Sequence, residues 1–100
     1  MSIQQTEALT ATVHSLGYES VDDFALQKAK EVLQAQIDVY QKEVEQYEEK
    51  YGMSFQAFSE KFDQKTEFRL FEREDDEMDW SFAIEMRALV QNLLFYPRKL

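Results

Sequence analysis

The chain has 100 residues, with 20 acidic and 11 basic side chains, a formal net charge of −9, 44% hydrophobic residues and no cysteine. This length and apolar content fit one folded domain that buries about 60–65% of its unfolded surface, which excludes a large enzyme with a separate cofactor domain. The lack of cysteine excludes disulfides and zinc–thiolate sites, and no secretion signal or apolar run of the ~20 residues in a membrane span is recognisable. We therefore expect one cytoplasmic domain over residues 1–100, with no membrane contact.

The negative charge is concentrated in one short segment. Residues 71–80 alone contribute −5 of the net −9, and the first basic residue of the chain is Lys28. A nucleic-acid-binding protein normally gathers basic side chains on one face. No such face is visible in the sequence, so we do not expect direct nucleic-acid binding. An acidic chain instead suits a basic protein partner.

Two glycines, one proline and helical spacing of apolar residues predict an all-α fold. Near the N-terminus the spacing allows a short helix that ends at Gly17 in the left-handed conformation. Residues 1–19 are expected to attach loosely to the remainder. Ser20 is the predicted N-cap of a long helix that covers about residues 20–51.

The predicted long helix carries a broad apolar stripe at heptad spacing. Two interpretations stay open: the stripe packs against other helices of the same chain, or it forms the seam of a homodimer. A helix longer than ~25 residues in so short a chain often extends beyond its own domain, which favours a dimer. The residues predicted to form the dimer seam are Leu33, Ile37, Tyr40, Val44 and Tyr47.

Two further helices are predicted after the long one. Gly52 ends the long helix, and Ser54 caps a short helix over about residues 54–62, whose Phe side chains face the core. Charges then dominate, and residues 63–77 are predicted to form an irregular acidic linker. Apolar residues recur at spacings of four and three in the following segment, which predicts the last helix over about residues 77–95.

The sequence offers no set of residues suited to catalysis. His14 is the only histidine, so a catalytic histidine pair and a two-histidine metal site are excluded. Gly17 and Gly52 stand alone and form no phosphate-binding loop. The acidic run lacks the alternating ligands and the turn glycine of a calcium loop, although a carboxylate-bound divalent metal remains a weaker alternative. We predict no enzymatic activity, no metal ion and no cofactor.

Large apolar side chains are interspersed with the acidic run, a mixture typical of protein-docking segments. Carboxylates attract a basic partner over a long range, and aromatic side chains become the buried anchors of such an interface. The alternative is that the acidic run is only the solvated start of a helix. The predicted partner-binding residues are Phe68, Phe71, Glu74, Asp75, Asp76, Asp79, Trp80 and Phe82.

Two parts of the sequence resemble known families. Residues 15–24, Ser-Leu-Gly-Tyr-Glu-Ser-Val-Asp-Asp-Phe, resemble the turn between the helices of ribbon–helix–helix repressors and antitoxins, without the basic N-terminal strand of that fold. Residues 51–58, Tyr-Gly-Met-Ser-Phe-Gln-Ala-Phe, with Met78-Asp79-Trp80 after an acidic stretch, resemble small helical antitoxins of bacterial and archaeal toxin–antitoxin pairs. The second resemblance implies that the protein binds a small, usually basic toxin and holds it inactive.

These observations lead to two hypotheses about function. In the first, the protein is an antitoxin-like module whose acidic segment covers the basic active site of a small cytoplasmic toxin, with Trp80 and Phe82 as anchors. In the second, it is a homodimeric coiled-coil-type structural or adaptor protein, and the acidic segment only keeps it in solution. A homodimer is compatible with both.

Overall fold

The structure is a computed structural model that describes residues 1–95. Within this range it contains helices and no strand, which confirms the predicted all-α class. The elements are α1 (Ile3–Ser15), α2 (Val21–Tyr51), α3 (Phe55–Glu60), a 3₁₀ turn (Phe62–Gln64) and α4 (Leu70–Phe95). In residues 1–95, no helix combines the length and the hydropathy needed to cross a membrane.

Helices α2 and α4 form an antiparallel hairpin that makes up most of the molecule. Contacts between them run in opposite directions along the chain, from Tyr51 with Asp76 to Gln41 with Arg87. The molecule is elongated, 65 × 24 × 20 Å, because the 31-residue α2 is ~46 Å long and packs mainly against one other long helix. We call residues 38–83 the closed end of the hairpin, and residues 21–37 with 84–95 its open end.

The helix boundaries of α2 and α3 follow from local capping. The Ser20 hydroxyl accepts a hydrogen bond from the Asp23 backbone N–H at 2.9 Å, and the Ser54 hydroxyl accepts one from the Ala57 N–H at 3.2 Å. Gly52 ends α2 with φ = 66°, a left-handed conformation that a side chain disfavours. All three predicted boundary residues are confirmed.

The prediction of an irregular linker through residue 77 is wrong, because α4 already begins at Leu70. Arg73 in its first turn is only 8% exposed, and its guanidinium donates hydrogen bonds to the carbonyl oxygens of Phe68, at 3.1 Å, and Phe62. These contacts fix the start of α4 against the preceding loop. They stabilise the helix despite the repulsion among the neighbouring carboxylates. In the sequence, these charged residues obscure the apolar pattern of the helix.

The hydrophobic core lies at the closed end and is mostly aromatic. The Trp80 side chain is fully buried, and its ring lies 5.3–6.0 Å from the ring centroids of Tyr47, Tyr51, Phe55 and Phe58. Aromatic pairs at such distances stabilise a core beyond the burial of their surface. The predicted core position of Phe58, on α3, is confirmed by its complete burial.

The open end has much less core. Among the residues of the open end, Ile37 and Val90 are buried, whereas Leu26, Leu89 and Leu93 are 36%, 52% and 50% exposed. Helix α1 contacts α2, and Val13 is its one buried side chain. The fold therefore has a complete core at one end of the hairpin and an incomplete core at the other.

Candidate functional site

Asp76, one of the predicted partner-binding residues, is engaged inside the hairpin. Its carboxylate accepts hydrogen bonds from the Tyr51 hydroxyl and the Lys50 ammonium, both at 2.6 Å. Lys50 also lies 3.5 Å from the Glu72 carboxylate. The Asp76 side chain is only 15% exposed and joins α4 to α2, and its contact with a partner stays a prediction.

Burial raises the pKa of Tyr51 above its usual range, and the hydrogen bond to Asp76 raises it further. Burial alone would lower the pKa of Lys50, but the hydrogen bond and charge of Asp76 raise it. The folded chain therefore holds these protons more tightly than the unfolded chain does. Their contribution to stability is complete below about pH 10, the unfolded pKa of tyrosine, and is lost as the pH rises beyond it.

We expect the free energy of unfolding to fall between about pH 10 and pH 12, and the variant Tyr51→Phe to show a weaker fall. At pH 8 we expect the free energy of unfolding of this variant to be about 1 kcal/mol lower than that of the wild type, because one hydrogen bond to a carboxylate is missing. Urea denaturation followed by circular dichroism at several pH values measures both effects. An equally steep alkaline loss in Tyr51→Phe would contradict this assignment.

Trp80 and Phe68 belong to the core and do not form surface anchors. Trp80 is fully buried because its position on α4 faces α2, and the half-buried Phe68 packs its ring 4.7 Å from that of Tyr51. In this fold both side chains stabilise the chain itself, and their contact with a partner stays a prediction.

The predicted dimer seam on α2 is largely occupied by α4 of the same chain. Ile37 and Val44 are buried, and Val44 belongs to the cluster around Trp80. The other three residues of the predicted seam, Leu33, Tyr40 and Tyr47, are half-buried. Ile37 and Val44 thus pack within the chain, as the first of the two interpretations has it, and an intermolecular seam on α2 stays a prediction.

The structure shows instead a row of exposed apolar side chains on α4, which we call the α4 stripe. Its members are Phe71, Met78, Phe82, Leu89 and Leu93, whose exposures are 77%, 66%, 54%, 52% and 50%. Their spacing of 7, 4, 7 and 4 residues places them on one face of the helix over ~33 Å. Of these, only Phe71 and Phe82 were predicted as contact residues. For Met78, Leu89 and Leu93, the same helical spacing of apolar residues in the sequence was the signal that could have identified them.

Carboxylates border the part of the α4 stripe that lies at the closed end. Glu74, Asp75 and Asp79 are exposed and lie within four residues of Phe71, Met78 or Phe82. No ion pair neutralises these three carboxylates within residues 1–95. Five of the predicted contact residues thus share one exposed surface, and the structure adds Met78 to it. We call this surface the acidic surface, and its members are Phe71, Glu74, Asp75, Met78, Asp79 and Phe82.

A shallow groove between α2 and α4 continues the acidic surface. Its volume is about 370 Å³, and the rings of Tyr40 and Phe82 meet edge to face across it at 6.4 Å. Glu43 and Asp79 also line it, and burial together with the charge of Asp79 raises the pKa of Tyr47. Aromatic walls beside carboxylates suit the side chain of a lysine or arginine from a partner.

The described residues contain no cluster of side chains suited to a metal ion. Within residues 1–95, no three His, Asp or Glu side chains are close enough together to hold a metal ion. The His14 ring nitrogen Nε2 lies 3.0 Å from the Glu19 carbonyl oxygen, in the turn between α1 and α2. The histidine therefore has a structural contact in that turn.

Residues 51–58 and 78–80, the two short motifs of the sequence analysis, meet in the fold. Tyr51, Phe55 and Phe58 of the first motif surround Trp80 of the second. In the turn of residues 15–24, Gly17 has φ = 94° between two helices, and no strand occurs in residues 1–95. Comparison with protein-family models, with curated proteins and with solved structures finds no match to this chain.

Proposed function

We propose that this protein is a binding module without catalytic activity, which captures a small basic protein and neutralises it in the manner of an antitoxin. The observation that carries the proposal is the acidic surface, where exposed apolar side chains alternate with unpaired carboxylates. The resemblance of residues 51–58 and 78–80 to antitoxins supports a toxin as the partner.

The apolar part of the acidic surface supplies the binding free energy. Phe71, Met78 and Phe82 are each more than half exposed, so a partner that covers them removes large apolar groups from water. Burying such a side chain contributes about 1.5–3 kcal/mol at full burial, and aromatic groups are frequent hot spots of interfaces. Three adjacent anchors are sufficient for a specific contact if the partner provides complementary pockets.

The carboxylates determine which kind of partner is attracted. In the two helical segments of the closed end, residues 38–51 and 70–83, eleven carboxylates face only three basic groups. This field attracts a positively charged protein and increases its association rate. The groove beside Tyr40 and Asp79 would accept one of the partner's cationic side chains.

Neutralisation follows from the same charges. A basic site that acts on nucleic acid or nucleotides binds phosphate oxygens, and a row of carboxylates presents similar negative groups to it. The closed end would therefore occupy the site and exclude the substrate. This mechanism needs no catalytic group on the antitoxin-like module.

Co-expression with the protein encoded by the adjacent gene tests the proposal. We expect that protein to be basic and to arrest growth when expressed alone, and we expect the wild-type chain to restore growth and to co-purify with it. The double variant Phe71→Ala/Phe82→Ala should lose this protection, because two hot-spot truncations together weaken binding by ~100-fold or more.

Ile3→Ala/Leu16→Ala is the matched control, because these residues are 78% and 62% exposed and lie in and beside α1, outside α2 and α4. It should protect as well as the wild type. A harmless neighbouring protein that forms no complex, or equal protection by both double variants, would contradict the proposal.

A further inference from the structure

We infer that the open end of the hairpin is a dimer interface, where a second copy of the chain covers Leu89 and Leu93 of the α4 stripe. This surface differs from the acidic surface and from the seam expected on α2. It is carried by two independent observations: the incomplete core of the open end, and its nearly neutral charge.

The open end leaves apolar side chains uncovered that the closed end would bury. At the closed end, α3 and the loop after it pack onto the hairpin as an additional layer, and Trp80 and Phe58 are fully buried. At the open end, by contrast, Leu89 and Leu93 remain half exposed. Helix α1 packs on α2 near this end, yet these two side chains of α4 stay half exposed, and the usual solution for such a face is a further helix.

The uncovered residues of the two helices lie on the same side of the hairpin. Tyr40 of α2 contacts Phe82 of α4, and Leu33 and Leu26 precede Tyr40 by one and two heptads. They therefore share its face of α2, as Leu89 shares the face of Phe82 on α4. The open end therefore leaves partly exposed apolar side chains on both helices.

The charge distribution identifies the second copy as the occupant. The open-end segments, residues 21–37 and 84–95, carry four carboxylates against three basic groups, whereas residues 38–51 and 70–83 carry eleven against three. Self-association through the closed end would bring two strongly negative surfaces together. Association through the open end brings two nearly neutral surfaces together, and a basic partner gains no attraction there.

The same charges determine the orientation of the two copies. A two-fold axis perpendicular to α4 near Gln91 would make the two α4 helices antiparallel and direct the acidic ends away from each other. At 1.5 Å per residue, Asp75 lies ~24 Å from this axis, so the two Asp75 positions would be roughly 50 Å apart. That separation is several Debye lengths at physiological salt, and the repulsion is screened.

Sedimentation of the full chain tests the inference. We expect the wild type to be a dimer at micromolar concentration, and Leu89→Glu/Leu93→Glu to raise the dimer dissociation constant by more than tenfold. Phe71→Glu/Met78→Glu adds the same charge at exposed apolar positions of the same α4 stripe but far from the axis near Gln91, and should leave the dimer intact. Circular dichroism checks that each variant keeps its helix content. If Leu89→Glu/Leu93→Glu loses helix, Leu89→Gln/Leu93→Gln replaces it. We expect this variant also to raise the dimer dissociation constant more than tenfold.

Spin labels test the geometry, since the chain has no cysteine of its own. Labels at Asn92→Cys should lie within about 30 Å of each other, because packed helix axes are ~10 Å apart, and labels at Asp75→Cys roughly 50 Å apart. A wild type that stays monomeric at high concentration, a dimer insensitive to the Leu89 and Leu93 changes, or a short Asp75 distance would overturn the inference. The dimer-breaking variant should still bind the basic partner, so this result is independent of the proposed function.

Discussion

Trp80→Ala is expected to lower the free energy of unfolding by about 3–5 kcal/mol, the usual cost of removing a large aromatic side chain from a core. Trp80 is fully buried and contacts four other aromatic rings at the closed end. Its truncation opens a cavity where α2, α3 and α4 meet. Because domains of this size have a total stability of about 5–15 kcal/mol, the variant should be close to unfolding at 37 °C.

Two further variants separate packing from surface effects. Trp80→Phe keeps one aromatic ring and should lower the free energy of unfolding by less than Trp80→Ala does. The indole Nε1 has no hydrogen-bond partner in residues 1–95, so the change to Phe breaks no hydrogen bond. Phe71→Ala removes an aromatic side chain that is 77% exposed and should change stability by less than about 0.5 kcal/mol. Urea denaturation measures all three. Similar losses for Trp80→Ala and Phe71→Ala would show that Trp80 is not the centre of the core.

Arg73→Met is expected to lower the free energy of unfolding by about 2–4 kcal/mol. The guanidinium donates hydrogen bonds to the carbonyl oxygens of Phe62 and Phe68 and lies 5.0 Å from the Phe62 ring. Methionine keeps much of the apolar stem but removes both hydrogen bonds, and the Phe62 carbonyl oxygen keeps only its longer bond from the Lys65 N–H, at 3.4 Å. A hydrogen bond from a charged group contributes about 1.5–3 kcal/mol, and less where it is partly exposed.

The loss in Arg73→Met should be accompanied by faster amide hydrogen exchange in residues 62–72, where the arginine joins the loop to α4. Arg73→Lys should be intermediate, because an ammonium cannot reproduce the planar fork of the guanidinium. The exposed Arg69→Met is the matched control and should stay within about 0.5 kcal/mol of the wild type. A stable Arg73→Met with unchanged exchange would contradict the proposed anchoring of α4.

The features that local chemistry determines could be predicted from the sequence. Ser20, Gly52 and Ser54 act through contacts within four residues, so their capping roles are visible without knowledge of the fold. The all-α class follows from the scarcity of helix breakers. The start of α4 could not be predicted, because Arg73 and Asp76 depend on Phe62, Tyr51 and Lys50, of which the last two lie about 25 residues away.

The candidate site could be predicted only in part, for a similar reason. Helix α4 carries apolar residues on two faces, one with Trp80 and Val90 and the other with Phe71, Phe82 and Leu89. Periodicity identifies both faces but not which one packs against α2. Trp80 was therefore predicted to be an anchor for a partner, although its side chain is fully buried in the core.

Affinity for the adjacent gene product, measured with purified proteins at low and high salt, tests the central claim most directly. We expect a complex whose affinity falls with salt and falls at least tenfold when Glu74, Asp75 and Asp79 are replaced by Gln, Asn and Asn, because the neutral amides remove the attraction for a basic partner. Replacing Glu7, Asp22 and Glu31, which are exposed and lie outside the closed end, by Gln, Asn and Gln should have little effect. Binding that is independent of salt and unchanged by the Glu74, Asp75 and Asp79 substitutions, or no binding at all, would contradict the account.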